Sequence, residues 1–234
     1  VKNNVFGTAV LGELCGRCAV ETFVLVSTDK AVRPTSVMGA SKRVAELVVQ
    51  ALDARYDTRY VAVRFGNVLG SAGSVVTIFS EQIRRGGPVT VTHPDMTRYF
   101  MSIPEASQLV LSAAAMGQGG EVFILDMGDP LPVVELAEKM IRLAGFEPDV
   151  DIEIIFTGAR PGEKLVEELV HSPEELMPTA HDKIFVAGIP SLEPTVIDSG
   201  LERLRDLVEA GESAELRRFL NRLLPEADLV GDTR

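Results

Sequence analysis

Long apolar runs, cysteine and positive charge are all scarce in this 234-residue sequence. No apolar run reaches the roughly 18 residues that a membrane-spanning helix needs, so we expect no membrane contact from this segment. The net charge of -11 and the pI near 4.8 argue against nucleic acid or an anionic membrane as a partner. An anionic small molecule is still compatible with this balance, because a few arginines override the global charge locally.

Cysteine occurs only at Cys15 and Cys18, in the sequence Cys-Gly-Arg-Cys. This spacing fits either a redox pair or half of a zinc site. The sequence has no second cysteine pair, and its three histidines lie far away, so we predict no metal site. The segment is typical of the end of a helix, and we interpret the two thiols as structural and reduced.

A dinucleotide-binding turn is also absent. No segment fits G-x-G-x-x-G after a strand and before a helix, the pattern whose backbone cradles a pyrophosphate. Residues 66–73 contain several glycines, but they follow the wrong strand and lack this spacing.

Apolar runs and amphipathic stretches alternate along the chain. Residues 23–26 and 60–65 are apolar runs rich in β-branched side chains, which is typical of parallel strands buried on both faces. Residues 36–56 carry apolar side chains at the helical period. Strands that alternate with helices predict an α/β fold with a doubly wound parallel sheet and right-handed crossovers.

Polar residues cluster where the first predicted strand ends. Residues 27–30 read Ser-Thr-Asp-Lys, and ligands bind at the carboxyl edge of open α/β sheets. Met38 and Lys42 lie one helical turn apart and project from one face. Spacing alone leaves two interpretations open. Either these side chains converge on one cleft, or Asp29 and Lys30 are a solvated loop pair and Lys42 is a surface lysine.

Three segments of the sequence resemble one family. Residues 27–35 read Ser-Thr-Asp-Lys-Ala-Val-Arg-Pro-Thr, residues 38–43 read Met-Gly-Ala-Ser-Lys-Arg, and residues 160–168 read Arg-Pro-Gly-Glu-Lys-Leu-Val-Glu-Glu. They are similar to the extended short-chain dehydrogenase/reductase superfamily and, more narrowly, to CapD-like nucleotide-sugar 4,6-dehydratases of polysaccharide biosynthesis. Most superfamily members carry Tyr-x-x-x-Lys where this chain has Met38-x-x-x-Lys42. The Met variant is known in the large, membrane-anchored dehydratases that act on UDP-N-acetylglucosamine.

The resemblance implies a reaction with NAD, rather than NADP, as cofactor. The sugar is oxidised at C4, water is lost across C5 and C6, and the hydride returns to C6 to give a UDP-4-keto-6-deoxy sugar. The resemblance assigns Asp29 as the acid for the C6 hydroxyl and Lys30 as the base for the C5 proton. Lys30 must then be neutral, a state that burial or the nearby Lys42 favours. Lys42 holds the nicotinamide ribose, with Ser27 as a second cofactor contact.

The resemblance also implies the residues that bind the UDP-sugar. Asn67 reaches the phosphate or the sugar, and Arg98 and Arg160 present guanidinium groups that suit a diphosphate. Glu163 is an acceptor suited to the two ribose hydroxyls. The alternatives are that Asn67 only supports a turn and that residues 160–168 form a charged surface turn.

Position 38 departs from the general pattern. A thioether has no proton to exchange, so Met38 cannot take the C4 hydroxyl proton as a tyrosine would. Either Asp29 serves twice, with Thr28 orienting the hydroxyl, or the protein does not oxidise C4, and we favour the first hypothesis. Two rival functions remain, a nucleotide-sugar epimerase and a non-catalytic nucleotide-sugar-binding module.

The resemblance runs from about residue 4 to about residue 169, and we divide the chain into three parts. Residues 1–66 are the second part of a Rossmann-like NAD-binding domain, residues 67–190 mainly bind the nucleotide sugar, and residues 191–234 form a helical extension without a catalytic signal. The family's first nucleotide-binding half has no counterpart here. We therefore expect this chain to be a carboxyl-terminal portion of a longer protein and to be inactive alone. We expect it to lie in the cytoplasm, with the longer protein at the cytoplasmic face of the inner membrane. Self-association through helices that contain residues 2–18 and 36–56 is also expected.

Overall fold

Helices and strands alternate along the chain, and the predicted α/β class is confirmed. The computed structural model describes residues 1–71, 73–170, 176–189 and 192–229. The chain divides into two compact units. The first unit comprises residues 1–65, 108–126 and 168–234, and the second comprises residues 66–107 and 127–167.

The elements are numbered in chain order. The strands are β1 (Thr22–Val26), β2 (Arg59–Arg64), β3 (Asn67–Leu69), β4 (Val89–Val91), β5 (Thr97–Arg98), β6 (Phe100–Ser102), β7 (Val122–Leu125), β8 (Leu131–Pro132), β9 (Ile154–Phe156), β10 (Leu176–Pro178) and β11 (Ile184–Ala187). The helices are α1 (Thr8–Arg17), α2 (Val37–Asp53), α3 (Val75–Arg84), α4 (Ile103–Met116), α5 (Val133–Leu143), α6 (Pro194–Ala210) and α7 (Ser213–Leu223). A π-helical segment (Lys2–Gly7) precedes α1, and a 3-10 turn (Asp29–Ala31) follows β1.

The first unit contains a five-stranded sheet in the order β1-β2-β7-β11-β10. The first three strands are parallel, with Val24 opposite Val61 and Val63 opposite Phe123. The two remaining strands run antiparallel, which makes the sheet mixed rather than all parallel. The parallel part brings the carboxyl ends of β1 and β2 to the same edge of the sheet.

Burial differs between the two strands that the sequence predicts to be buried on both faces. In β2, every residue from Tyr60 to Arg64 is buried, so the prediction is confirmed there. In β1 the prediction is wrong, because Val26 is 48% exposed and only Leu25 is buried. The reason is position, since β1 forms one edge of the sheet.

Helix α2 is the central helix of the first unit. The side chain of Ser36 caps its first turn by accepting a hydrogen bond from the Gly39 amide at 3.2 Å. Most of the helix is buried, including Val44, Leu47 and Val48 in the apolar core. Gly39 allows close packing, because a Cβ at this position would overlap the Lys30 carbonyl group. The sequence therefore holds α2 tightly against the turn that follows β1.

The carboxyl-terminal helices belong to the first unit. Helices α6 and α7 contact α2, and Leu204, Leu220 and Leu224 are buried in the same core as α2. The segment that we expect to form a helical extension is thus part of the core around the central helix.

The second unit is built on three two-stranded sheets. Strands β3 and β6 are parallel, β4 and β9 are parallel, and β5 and β8 are antiparallel. Its core packs α3 and α5 on β4, with Phe79, Ile83 and Ile141 buried. Ser74 caps α3 by accepting a hydrogen bond from the Thr77 amide at 3.4 Å.

The described parts of the chain contain neither a candidate membrane-spanning helix nor a candidate metal-binding group. There, no helix combines the length and apolar character that crossing a bilayer requires. No group of three or more His, Cys, Asp or Glu side chains in those parts could hold a metal ion. Cys15 and Cys18 are free thiols.

Candidate functional site

The backbone after β1 continues the sheet ladder for a short distance. The Ser27 amide donates to the Val63 carbonyl at 2.7 Å, and the Asp29 amide donates to the Phe65 carbonyl at 3.1 Å. The chain then turns, and Thr28 Oγ1 accepts a hydrogen bond from the Lys30 amide at 3.4 Å. Residues 27–30 are therefore fixed at the carboxyl edge of the sheet, where α/β proteins bind ligands.

Asp29 is the centre of this group. Its side chain is fully buried, and Oδ1 accepts hydrogen bonds from Thr28 Oγ1 at 2.8 Å and from Lys30 Nζ at 2.9 Å. The other oxygen, Oδ2, is buried without a hydrogen-bond partner. A buried polar atom left without a partner costs about 1–3 kcal/mol. A donor supplied by a ligand, such as a sugar hydroxyl, would remove that cost.

Lys42 lies at the same strand end. Its Nζ donates to the Val26 carbonyl at 3.0 Å, at the last residue of β1. Burial lowers the pKa of Lys42, and the negative charge of Glu46 opposes that change. Met38, one turn earlier, is 46% exposed. The structure thus brings Lys42 to the strand end that carries Thr28, Asp29 and Lys30.

Ser27 is turned toward a different partner. It is 5% exposed, and its hydroxyl donates to Glu46 Oε1 at 2.6 Å. The hydroxyl that we predict to contact the cofactor therefore binds Glu46 in this structure.

Glu46 is the middle of a buried ion cluster, which we define as Arg43, Glu46 and Arg64. Arg64 donates two hydrogen bonds to the Glu46 carboxylate, at 2.7 and 2.6 Å, and Arg43 lies 3.3 Å from Oε2. Burial raises the pKa of Glu46, but the charges and hydrogen bonds of Arg64 and Arg43 outweigh it, and the pKa lies below its ordinary value. The cluster joins α2 to the ends of β1 and β2.

Sequence reasoning missed this cluster. Two weak signals were present: Arg43 and Glu46 are three residues apart on a helix, and Arg64 ends an otherwise apolar strand. Neither signal indicates that the three side chains meet, because their contacts join two separate elements.

Asn67 is the first residue of β3 in the second unit. Its amide donates to the Tyr99 carbonyl at 3.0 Å, and Asn67 pairs with Phe100 across the small sheet. A cavity of about 440 Å³ lies beside it, bounded by the first turn of α3. The cavity is lined by Gly66, Asn67, Val68, Ser71, Gly73, Ser74, Val75, Val76 and Phe100. A helix amino terminus presents amide groups that suit an anion.

Arg98 lies in the interior of the second unit, with 6% exposure. Its Nη1 donates to the carbonyls of Thr97 and Leu165, at 2.7 and 3.1 Å. Its Nη2 lies 3.5 Å from Glu163 Oε1. In this structure the guanidinium that we predict to bind phosphate is held by protein groups.

Arg160 and Glu163 close one turn. The Arg160 amide donates to Glu163 Oε2 at 3.1 Å, and the Glu163 amide donates to the Arg160 carbonyl at 2.9 Å. The Arg160 side chain is exposed. The turn thus carries Arg160 and Glu163, and Arg98 of β5 contacts it through Glu163.

Comparison with known proteins identifies close relatives. The model of a family described as polysaccharide biosynthesis protein matches residues 1–188. The capsular polysaccharide biosynthesis protein CapD of Staphylococcus aureus is 50% identical over 95% of this chain. The probable polysaccharide biosynthesis protein EpsC of Bacillus subtilis is 48% identical over 94% of it. The chain spans 37% of the length of each of these relatives.

Solved structures show a similar fold. The X-ray structure of Pen from Bacillus thuringiensis is 33% identical, covers 82% of this chain and 60% of its own, and has a TM-score of 0.72. A dTDP-glucose 4,6-dehydratase from Bacillus anthracis, solved in complex with NAD, is 22% identical with a TM-score of 0.60. It covers 68% of this chain and 57% of its own, and at this identity it shows the fold alone.

Proposed function

Because the chain belongs to the polysaccharide biosynthesis protein family, we propose that its full-length protein is a nucleotide-sugar 4,6-dehydratase acting on UDP-N-acetylglucosamine. One observation carries the proposal. A fully buried Asp29 has one oxygen without a hydrogen-bond partner and the other oxygen 2.9 Å from Lys30 Nζ. Elimination of water from a 4-keto sugar needs an acid and a base side by side, and this pair supplies both.

The described residues fit one end of NAD. Lys42 is held at the end of β1, and its partly exposed ammonium group can donate to ribose hydroxyls. When bound, NAD would take the hydride from C4 and return it to C6. The chain has no glycine-rich turn for the pyrophosphate, so we assign that part of the cofactor site to the rest of the full-length protein.

The proton steps begin with Asp29 ionised and Lys30 neutral. Thr28 Oγ1 accepts the proton of the C4 hydroxyl and passes its own proton to Asp29 Oδ1, 2.8 Å away. Asp29 is then protonated and Lys30 is neutral, which are the states that an acid and a base require. In this scheme no proton passes through Met38, so the lack of an exchangeable proton on its thioether does not block oxidation at C4.

The remaining proton steps restore the starting state. Lys30 Nζ takes the C5 proton while Asp29 gives its proton to the departing C6 hydroxyl, which leaves as water. Lys30 then returns its proton to C5 as the hydride arrives at C6. Asp29 is again ionised and Lys30 again neutral. This starting state has one proton fewer than the ion pair of Asp29 and Lys30 in the structure.

The second unit would hold the nucleotide. We assign the cavity beside Asn67 and the amino terminus of α3 to the diphosphate. The exposed Arg160 would bind phosphate, and Glu163 would accept hydrogen bonds from the ribose. Arg98 would support the turn that carries both residues, since it already contacts Glu163.

The experiment uses the full-length protein, because this chain spans 37% of its relatives. The protein is incubated with UDP-N-acetylglucosamine and NAD, and the products are followed by NMR and mass spectrometry. The proposal predicts loss of one water and a 4-keto, 6-deoxy product. An unchanged mass with inverted C4 would indicate an epimerase instead, and binding without any turnover would indicate a nucleotide-sugar-binding module.

A further inference from the structure

A series of ion pairs and hydrogen bonds connects the carboxyl-terminal segment to the residue that follows β1. Glu226 Oε1 accepts a hydrogen bond from Arg43 Nε at 3.1 Å. Arg43 Nη1 donates to Glu46 Oε2 at 3.3 Å, and Ser27 Oγ donates to Glu46 Oε1 at 2.6 Å. Ser27 is joined to Thr28 by a peptide bond. The path from Glu226 to the proposed acid and base is therefore a continuous series of direct contacts.

The charges along this path balance. The side chains of Arg43 and Arg64 are 7% and 4% exposed, and that of Glu46 is 0% exposed. Two positive charges and one negative charge are thus buried together, and Glu226 adds the second negative charge. A buried charge without compensation is costly, so loss of Glu226 would draw Arg43 toward Glu46. Arg43 would then compete with Ser27 and Arg64 for the same carboxylate.

A second contact joins the same segment to the loop after the proposed acid and base. The Asp228 amide donates to the Pro34 carbonyl at 2.9 Å. Pro34 lies between Lys30 and Met38 in the chain. Leu224 and Leu229 on either side of these contacts are buried in the core, which fixes the segment in place.

We propose that Glu226, acting through Arg43 and Glu46, is a positioning residue that holds Ser27 and the adjoining Thr28, Asp29 and Lys30 in their working geometry. This inference rests on the proposed function for its effect on catalysis. The effect on the geometry itself is independent of that function. The carboxyl-terminal segment carries no catalytic residue, but under this proposal it is required to keep the dehydratase site in its working geometry.

The test compares E226Q with D198N in the full-length protein. Asp198 also joins the carboxyl-terminal segment to the central helix region, since its Oδ2 accepts from Arg55 Nη2 at 2.5 Å. Arg55 lies beyond the opposite end of α2, so D198N is a matched control. We expect E226Q to lower kcat about 10-fold, because small misplacements of reacting groups have effects of this size. The KM for the UDP-sugar should stay within about twofold, because ground-state binding is unchanged.

Amide hydrogen exchange gives a readout that does not depend on turnover. We expect E226Q to exchange the amides of residues 27–33 about 10-fold faster than wild type, while D198N leaves them unchanged. If E226Q exchanges these amides at the wild-type rate, the positioning role is wrong. If wild type makes no dehydrated product but E226Q still accelerates exchange, only the proposed function fails.

A double variant separates charge from packing. R43M/E226L removes one positive and one negative charge together and keeps apolar volume at both positions. Under the proposal it folds, and its exchange rates at residues 27–33 return to within about threefold of wild type. If E226Q does not fold, the double variant still decides the question. Exchange as fast as that of E226Q, or failure of the balanced double variant to fold, would overturn the inference.

Discussion

Among single residues, the proposed dehydratase function depends most on Asp29. A carboxylate with no solvent exposure and one unsatisfied oxygen is costly to a fold, so its presence needs a reason. The contacts to Thr28 and Lys30 supply that reason, because they form a group that can accept one proton and move another. Under the proposed function, the same group would take the C4 hydroxyl proton that the thioether at position 38 cannot take.

The first prediction concerns Asp29 itself. Asp29→Asn removes the proposed final acceptor of the proton that Thr28 relays from the C4 hydroxyl, and the proposed acid for the C6 hydroxyl. We expect dehydration to fall by about 10²–10⁴-fold, the usual contribution of a general acid or base. Product formation by the full-length protein is measured by NMR, with D57N, at an exposed position, as the control. Dehydration by D29N at the wild-type rate would contradict the assignment.

The second prediction concerns Met38. Met38→Leu keeps the volume and apolar character of the side chain, and neither side chain carries a proton. We expect kcat to change by less than about fivefold, because the proton steps run through Thr28, Asp29 and Lys30. Steady-state kinetics of the two forms test this directly. A loss comparable to that of D29N would show that Met38 has a role that the scheme omits.

At the scale of elements, the ion cluster of Arg43, Glu46 and Arg64 joins α2 to the ends of β1 and β2. Glu46→Gln leaves two buried guanidinium groups without their shared carboxylate. We expect a loss of about 3–5 kcal/mol in the free energy of unfolding, as for other broken buried pairs. Denaturant unfolding at neutral pH measures this change.

The matched control is Glu215→Gln on α7. Glu215 also pairs with two arginines, Arg218 and Arg222, but on the exposed surface of one helix. We expect a change of less than about 0.5 kcal/mol, since exposed pairs contribute little. If E46Q and E215Q lose equal free energy of unfolding, the buried cluster contributes no more to stability than the exposed pairs on α7.

Acid provides a further check on Glu46. Its pKa in the folded state lies below the ordinary value of 4.5, so the folded protein holds this carboxylate ionised at a pH where the unfolded chain protonates it. The stability it contributes is therefore complete above pH 4.5 and lost as the pH falls through the folded-state pKa. E46Q should show a shallower decline in stability over that range.

Sequence patterns predicted the elements better than the contacts between them. The apolar run of β2 and the helical period of α2 gave elements close to those observed. The two residues of β5 and the three of β3 show no periodicity, and these strands were missed. The edge position of β1 also escaped prediction, because an apolar run does not say what lies on each side of a strand.

The same limit applies to the candidate site. The cluster at residues 27–30 could be found because its members are consecutive and follow a strand. The partners Glu46, Arg64 and Glu226 could not, because they come from separate elements and meet only in the fold. For Arg98, residue type suggested a phosphate ligand, whereas the structure places its guanidinium among carbonyl and carboxylate oxygens.

At the scale of the whole molecule, the chain is not organised as consecutive domains. It leaves the first unit at residue 65, returns for residues 108–126, and returns again from residue 168 onward. The proposed acid, base and cofactor contact lie in the first unit, and the proposed nucleotide contacts lie in the second. Because the chain spans 37% of the length of the matched relatives, the proposed activity is tested on the full-length protein.

The most direct test of the dehydratase proposal follows the C4 hydrogen of the substrate. UDP-N-acetylglucosamine carrying deuterium at C4 is incubated with the full-length protein and NAD, and the product is analysed by NMR and mass spectrometry. The dehydratase proposal predicts a 4-keto product that has lost one water and carries the deuterium in its C6 methyl group. Deuterium retained at C4 in a sugar of unchanged mass would contradict it.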